Sequence, residues 1–385
     1  MKKLLVVLIL SFLILFAATT SFAVNNSVRY VITNDDVGNG RNSVTFYRVG
    51  GSVSAPTLTR TAVVETGGMG LGTGFASANG LLIDQQGQCA YVANSGSADV
   101  ASIDLQTQTA VGKFRGSWQD SGGFDGVGLA MNGNFLYASY TGNYSLATYQ
   151  IGAGCQLSWI GSIPIIGQNL GMVAGMAARN NILVVAYGDG SIESYDISNG
   201  VPKSNGDRQL STGTQTLLTT PFGVEITKDA HFAIFGDASS RGVVEVSDIS
   251  GGSLVPTAVY KFWFGSDSNN VLLSPDERML YVSNNVSGTV SAAFFDNKTG
   301  QIFPGCISSP LKGLGDRWFY TAELTTSSAW GSGNALFVTE FGWNGSIAIV
   351  NLTVSGHTCT LMEDPASPIL DPESQSLRSI ALVHP

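Results

Sequence analysis

A unit of about 50 residues recurs along the chain, and a period of that length calls for an array or ring of equivalent modules. Two copies are sharp. One runs Leu81-Leu82-Ile83-Asp84-Gln85-Gln86-Gly87, then Tyr91-Val92-Ala93-Asn94-Ser95-Gly96-Ser97, then Val100-Ala101-Ser102-Ile103-Asp104 and Thr107. The other runs Val271-Leu272-Leu273-Ser274-Pro275-Asp276-Glu277, then Tyr281-Val282-Ser283-Asn284, then Gly288-Thr289-Val290-Ser291 and Asp296-Asn297-Lys298-Thr299-Gly300. Each reads as a short apolar strand, a polar turn, a strand ending in Asn, a Gly/Ser turn, and a third strand ending in Asp and Thr. Weaker copies centre on Leu136-Tyr137-Ala138, Val184-Val185-Ala186, Phe232-Ala233-Ile234 and Phe337-Val338-Thr339, with an early one at Tyr30-Val31-Ile32-Thr33-Asn34 and Val44-Thr45-Phe46-Tyr47.

Seven units fit the chain at roughly 52 residues each, which is four short antiparallel strands plus their turns. The expected fold is an all-β, seven-bladed β-propeller. Alternation is clear in Val244-Glu245-Val246-Ser247 and partial in Ile192-Glu193-Ser194-Tyr195. The first unit lacks an innermost strand, and the apolar tail Leu377-Arg378-Ser379-Ile380-Ala381-Leu382-Val383 can supply it. Pairing of the N- and C-terminal strands closes the ring and removes an exposed edge.

Composition excludes the main alternatives. With 47 glycines and only 12% charged residues, a helical bundle lacks its helix formers, while 44% hydrophobic residues rule against disorder. At a net charge of −9 and a pI of about 4.8, no basic stripe is available for nucleic acid.

Residues 1–23 read as a signal peptide: Lys2 and Lys3, an apolar run from Leu4 to Phe16, and a small-x-small site at Ser21-Phe22-Ala23. The propeller then occupies 24–385. Cleavage removes two lysines and no acid, moving the net charge from −9 to −11. The expected location is secreted or periplasmic, with no membrane span in the mature chain. Four cysteines in an oxidising compartment favour disulfides, with three connectivities allowed. Cys155, Cys306 and Cys359 each follow a Gly or a polar turn just before a short apolar stretch, as equivalent positions in repeated units would. Units six and seven being neighbours, this favours Cys306–Cys359 and leaves Cys89–Cys155; free buried cysteines remain the alternative.

The segment Tyr91-Val92-Ala93-Asn94…Val100-Ala101-Ser102-Ile103-Asp104…Thr107 closely resembles the repeat of the YVTN-type β-propellers. Leu273-Ser274-Pro275-Asp276…Leu280-Tyr281-Val282-Ser283-Asn284 resembles the same repeat in the seven-bladed lactonase family, which includes 6-phosphogluconolactonases. These motifs imply a fold, and the resemblance implies lactone ring opening as one activity, with histidine, arginine and acidic residues near the central channel. The three histidines, His231, His357 and His384, match no motif of that family.

Catalytic signatures are sparse. No Gly-x-Ser-x-Gly elbow occurs. Gly67 to Gly74 has dinucleotide-like glycine spacing but precedes no amphipathic helix, so it reads as an inter-blade loop. Oxygen-rich turns at Asp35, Asp36, Asn39 and at Asp267, Asn269, Asn270 lack the closing Glu of a calcium loop, and turn chemistry explains them. Scattered tryptophans, Trp159 among them, are expected to pack between blades. No cofactor and no metal is expected. Residues entering the innermost strands should converge at one channel mouth, and the repeat places Phe75, Asp125, Asn169, Phe222, Asn270, Glu323 and Arg378 there.

Two functions follow from this set. The first is an exported, monomeric scaffold that binds a small molecule or protein at the mouth, with Phe75, Asn169, Phe222 and Asn270 as contacts. The second is a lactonase in which Glu323 or Asp125 activates water and Arg378 steadies the oxyanion.

Overall fold

The computed structural model describes residues 29–52, 55–72, 79–115, 127–142, 144–165, 173–210, 221–237, 242–261, 265–313, 335–341, 345–372, 374, 377 and 379–383, with the backbone of 320–326. The expected signal peptide lies outside this set. Seven antiparallel sheets form a ring of blades. Blade 1 holds Arg29–Asn34, Ser43–Ser52 and Ala55–Glu65; blade 2, Leu81–Ile83, Cys89–Asn94, Asp99–Asp104 and Thr109–Phe114; blade 3, Val127–Asn132, Phe135–Tyr140, Ser145–Ile151 and Leu157–Pro164. Blade 4 holds Val173–Arg179, Ile182–Tyr187, Ser191–Asp196 and two short outer pieces, Lys203–Ser204 and Gln209–Leu210; blade 5, Pro221–Ile226, Phe232–Asp237, Val243–Asp248 and Val255–Lys261. Blade 6 holds Ser268–Leu273, Met279–Asn284, Thr289–Asp296 and Gln301–Ile307; blade 7, Tyr320–Thr326, Ala335–Phe341, Ser346–Ser355 and Thr358–Glu363.

Burial explains why the strand pattern is uneven. Second strands such as Cys89–Asn94, Ile182–Tyr187 and Met279–Asn284 are buried along their whole length, because a neighbouring blade covers each face. The outer strand Val255–Lys261 has only one covered face and alternates residue by residue. The alternation in Val244-Glu245-Val246-Ser247 is therefore between two buried faces. Val244 and Val246 pack with Val271, Leu280 and Val282 of blade 6, and Glu245 and Ser247 occupy the opposite face, also fully buried.

The ring closes through Ser379–Val383, the innermost strand of blade 1. Tyr30 pairs with Val383, Ile32 with Ala381 and Asn34 with Ser379. Leu377, Ile380 and Leu382 seal the seam with Val31, Tyr47, Phe337 and Ile349. The repeat's strand-end asparagine acts as a bracket. Asn94 Nδ2 donates to Asp99 Oδ1 at 2.7 Å within blade 2, and Asn34 Nδ2 donates to the carbonyls of Gly80 and Ala93, tying blade 1 to blade 2.

Two disulfides staple neighbouring blades. Cys89 of blade 2 bonds Cys155 in the short 3-10 turn Ala153–Cys155 of blade 3, and Cys306 bonds Cys359 between the outer strands of blades 6 and 7. Trp159 departs from its expected packing: it lies on the outer strand of blade 3, about half exposed.

The closure junction contains a buried acid pair. Asp35 Oδ1 accepts from Thr33 Oγ1 at 2.7 Å, and its Oδ2 accepts from Ser43 Oγ at 2.6 Å and Thr45 Oγ1 at 2.9 Å. The same Thr33 hydroxyl lies 3.5 Å from Asp371 Oδ2, in the segment leading to the closing strand. Burial first, and the Asp371 charge second, push the Asp35 carboxyl up to about 8 from 3.8. Between these values the folded chain keeps a proton that the unfolded chain has lost. The contribution to stability is complete below about pH 4 and disappears as pH rises through 8. Asp35→Asn, which cannot ionise, should melt higher than wild type at pH 8.5 and gain nothing at pH 4. Thermal scans at both pH values check this, and equal shifts at the two would refute the role given to Asp35.

Candidate functional site

The inner strands of blades 4 to 7 begin with a bulge. Register slips between Val173 and Gly175, between Pro221 and Val224, between Ser268 and Asn270, and between Thr321 and Leu324. Bulges re-aim side chains and are common beside active sites. Here the residues set apart are Ala174, Phe222–Gly223, Asn269 and Ala322–Glu323. Close apposition of neighbouring inner strands demands glycine at two of these heads. A Cβ on Gly175 would drive into the Phe222 carbonyl, and one on Gly223 into the Asn270 side chain.

Several observations place these heads around the ring axis. Ala174 and Phe222 touch each other yet belong to none of the cores between blades. Asn79, heading blade 2, reaches past blade 3: its Nδ2 donates to the Met176 carbonyl of blade 4 at 2.9 Å, and its own carbonyl accepts from Leu129 N at 3.0 Å. Asn269 is only 4% exposed, and its Oδ1 is buried with no hydrogen-bond partner. A buried amide oxygen left unpaired carries a desolvation cost of about 1–3 kcal/mol unless a ligand or water donates to it.

Of the residues expected at the mouth, Phe222 sits at a bulge on this wall. Asn270 is one residue past the bulge; its Oδ1 accepts from Val271 N at 3.0 Å and its backbone N donates to Ser283 Oγ at 3.1 Å. In blade 6 the bulged position is that of Asn269. Glu323 is placed by its backbone in the bulge of blade 7. Phe75, Asp125, Asn169 and Arg378 lie outside the described residues, so the expected Asp125, Glu323 and Arg378 grouping is not brought together by them. His231 stacks on Phe232 and lies 3.5 Å from Asp248 Oδ2, on the face away from these heads.

Two acids that the sequence reading passed over flank the inner-strand heads. Asp237 faces Pro221 in register, and Glu340 faces Thr321. Asp237 is the last residue of its second strand and Glu340 the last but one of its own, and in register both face the first residue of the third strand, as Asn94 and Asn284 do in the two sharp repeats. Departure from that asparagine was the available signal. Asp237 is fully buried with neither carboxyl oxygen hydrogen-bonded, and burial, then Glu245 and Asp267, raise it to about 7. Glu340 accepts from Ser346 Oγ at 2.6 Å, and burial raises it to about 7. Carboxyls poised near neutrality are suited to moving protons. Among the described residues, no group of three or more His, Cys, Asp or Glu is placed to hold a metal ion, and no helix is long and apolar enough to cross a membrane.

Solved structures with this architecture are numerous. A functionally unknown protein from Desulfotomaculum acetoxidans matches at a TM-score of 0.66 and 15% identity, over 92% of this chain and 99% of that one. A Bacteroides fragilis protein provisionally described as a 6-phosphogluconolactonase matches at 0.65 and 16%, over 94% and 99%. The periplasmic gluconolactonase of Pseudomonas aeruginosa matches at 0.61 and 14%, over 92% and 99%. Identities this low establish the fold alone. No curated protein matches the sequence. Residues 127–367, from the first strand of blade 3 to just past the outer strand of blade 7, match the family model described as lactonase, 7-bladed beta-propeller. With that match spanning more than half of its length, the chain belongs to the seven-bladed lactonase family of β-propellers.

Proposed function

We propose that the protein is an extracytoplasmic propeller that binds a small, uncharged, hydroxyl-rich molecule at the axial heads of its inner strands. The unpartnered Asn269 oxygen carries this reading, because it needs a donor such as a sugar hydroxyl. Asn79 supplies a second amide and Phe222 an apolar face, a combination suited to a ring with one polar edge and one apolar face. The two disulfides and the apolar segment of residues 4–16 support an oxidising compartment outside the cytoplasm. No cofactor enters the proposal, and the working form is a monomer.

Lactone ring opening is the second reading, favoured by the Asp237 carboxyl near neutrality behind the Phe222 bulge and by family membership. There Asp237, Glu323 or Asp125 would take a proton from water, and Arg378 would steady the carbonyl oxygen. A pH-stat assay with glucono-1,5-lactone, corrected for spontaneous hydrolysis, separates the two, alongside calorimetric titration with glucose. Binding is expected without turnover, and Asn269→Ala should weaken it about tenfold, the effect of one hydrogen bond. Turnover that falls about 10²–10³-fold in Arg378→Ala or Glu323→Gln would establish the hydrolase instead. Binding unchanged in Asn269→Ala would remove the axial site.

A further inference from the structure

The seams between blades are not equally filled. At the seam of blades 2 and 3, the turn Ala153–Cys155 folds over the second strand of blade 2. Cys155, Leu157 and Ile151 cover Cys89 and Tyr91, and the Tyr91 hydroxyl is buried without a partner. At the seam of blades 6 and 7 the equivalent turn is only Ser355-Gly356-His357, and Cys359 bonds the outer strand of blade 6 instead. Met279 and Tyr281, at the positions of Cys89 and Tyr91, consequently line an open cavity of about 520 Å³. Its volume falls within the range of small-molecule pockets.

The cavity walls are aromatic. Tyr281, Phe294, Phe295 and Phe303 face it together with Leu352 and Val354. Phe303 is 49% and Val354 46% exposed, a cost in apolar surface that a bound molecule would relieve. His357 meets the Phe294 ring edge-to-face at 5.9 Å, and the disulfide beside it fixes the spacing of the two blades. The charged groups at the rim largely answer one another. Arg278 Nε lies 3.9 Å from Asp276 Oδ2, Ser274 Oγ donates to Asp276 Oδ1, and Asp296 accepts from Lys298 N and Thr299 Oγ1. A net charge on the ligand would meet both signs at the rim, whereas an uncharged ring meets a matching apolar wall.

We infer that the cleft between blades 6 and 7 is a second binding site, distinct from the axial wall, for an uncharged aromatic molecule of one or two fused or linked rings. The ring system stacks among Phe294, Phe303 and Tyr281, with any polar substituent directed to Asp276 or Arg278.

The probe is N-phenyl-1-naphthylamine, an uncharged fluorophore that brightens in apolar surroundings. It should bind the wild type saturably and one to one, with a dissociation constant on the order of 100 µM or tighter for a ligand of its size. Phe303→Ser and Val354→Glu alter half-exposed positions, so both variants should keep the wild-type melting temperature. Each is expected to weaken probe binding at least tenfold. Asn269→Ala should leave it unchanged, which keeps failure of this site distinguishable from failure of the axial one. Absence of saturable binding, equal binding by wild type and both variants, or tenfold tighter binding of an anionic or cationic analogue would each overturn the assignment.

Discussion

A chain ending at Ser374 should be insoluble, or soluble only as a compact state without fixed packing. Loss of Ser379–Val383 exposes the edge of Arg29–Asn34 in blade 1, strips the buried Leu377, Ile380 and Leu382 from the seam with blade 7, and takes the buried Val383 from the seam with blade 2. At about 1.5–3 kcal/mol for each buried aliphatic side chain, the loss is about 6–12 kcal/mol, comparable to the entire stability of an ordinary domain. The unpaired edge also offers a template for association with other chains. Size-exclusion chromatography and near-ultraviolet circular dichroism of the truncated chain check this. A monomer with an unchanged spectrum and melting temperature would show that blade 1 stands without its fourth strand.

Removing the staple between blades 2 and 3 is expected to be the next largest perturbation. Cys89 and Cys155 close a loop of 66 residues, for which chain entropy gives about 4 kcal/mol. Both cysteines are buried in the core of that seam, so the double change Cys89→Ala with Cys155→Ala removes the cross-link without burying a new polar group. Denaturant midpoints under oxidising conditions should fall accordingly, with a melting temperature lower by roughly 5 °C for a chain of this size. The same substitutions compared in a reducing buffer should show almost no difference, since the wild type then lacks the bond too. A loss below about 1 kcal/mol in oxidising buffer would mean that the seam packs equally well without the bond.

The ring was legible because its signals are local and repeated. Tyr91-Val92-Ala93-Asn94 and Tyr281-Val282-Ser283-Asn284 display the strand and its terminal bracket in one short run, and the apolar tail declared itself as the missing strand. The Cys306–Cys359 pairing could be read from equivalent places in neighbouring units, which left Cys89 for Cys155. The mouth was less legible. A bulge shifts one residue against its partner strand, and whether it forms depends on how adjacent inner strands abut, as at Gly175 and Gly223. Counting along the repeat therefore landed on Asn270, whereas the bulge falls at Asn269. Asp237 and Glu340 were hidden for another reason: their units diverge from the sharp repeats, and only superposition of the strand ends reveals an acid where an asparagine is usual.

Closure by the last strand also sets a clock for biosynthesis. Tyr30 pairs with Val383, yet 353 residues separate them along the chain. At about 5–20 residues per second, the N-terminal edge waits roughly 20–70 s after it emerges before its partner exists. Six blades can complete themselves from neighbouring segments during that interval, while the first cannot. Throughout it, Val31 and Ile32, fully buried in the finished ring, lack the cover of the closing strand. A nascent chain of this protein is thus most in need of a chaperone at its oldest edge, and that need persists until the closing strand Ser379–Val383 has been added.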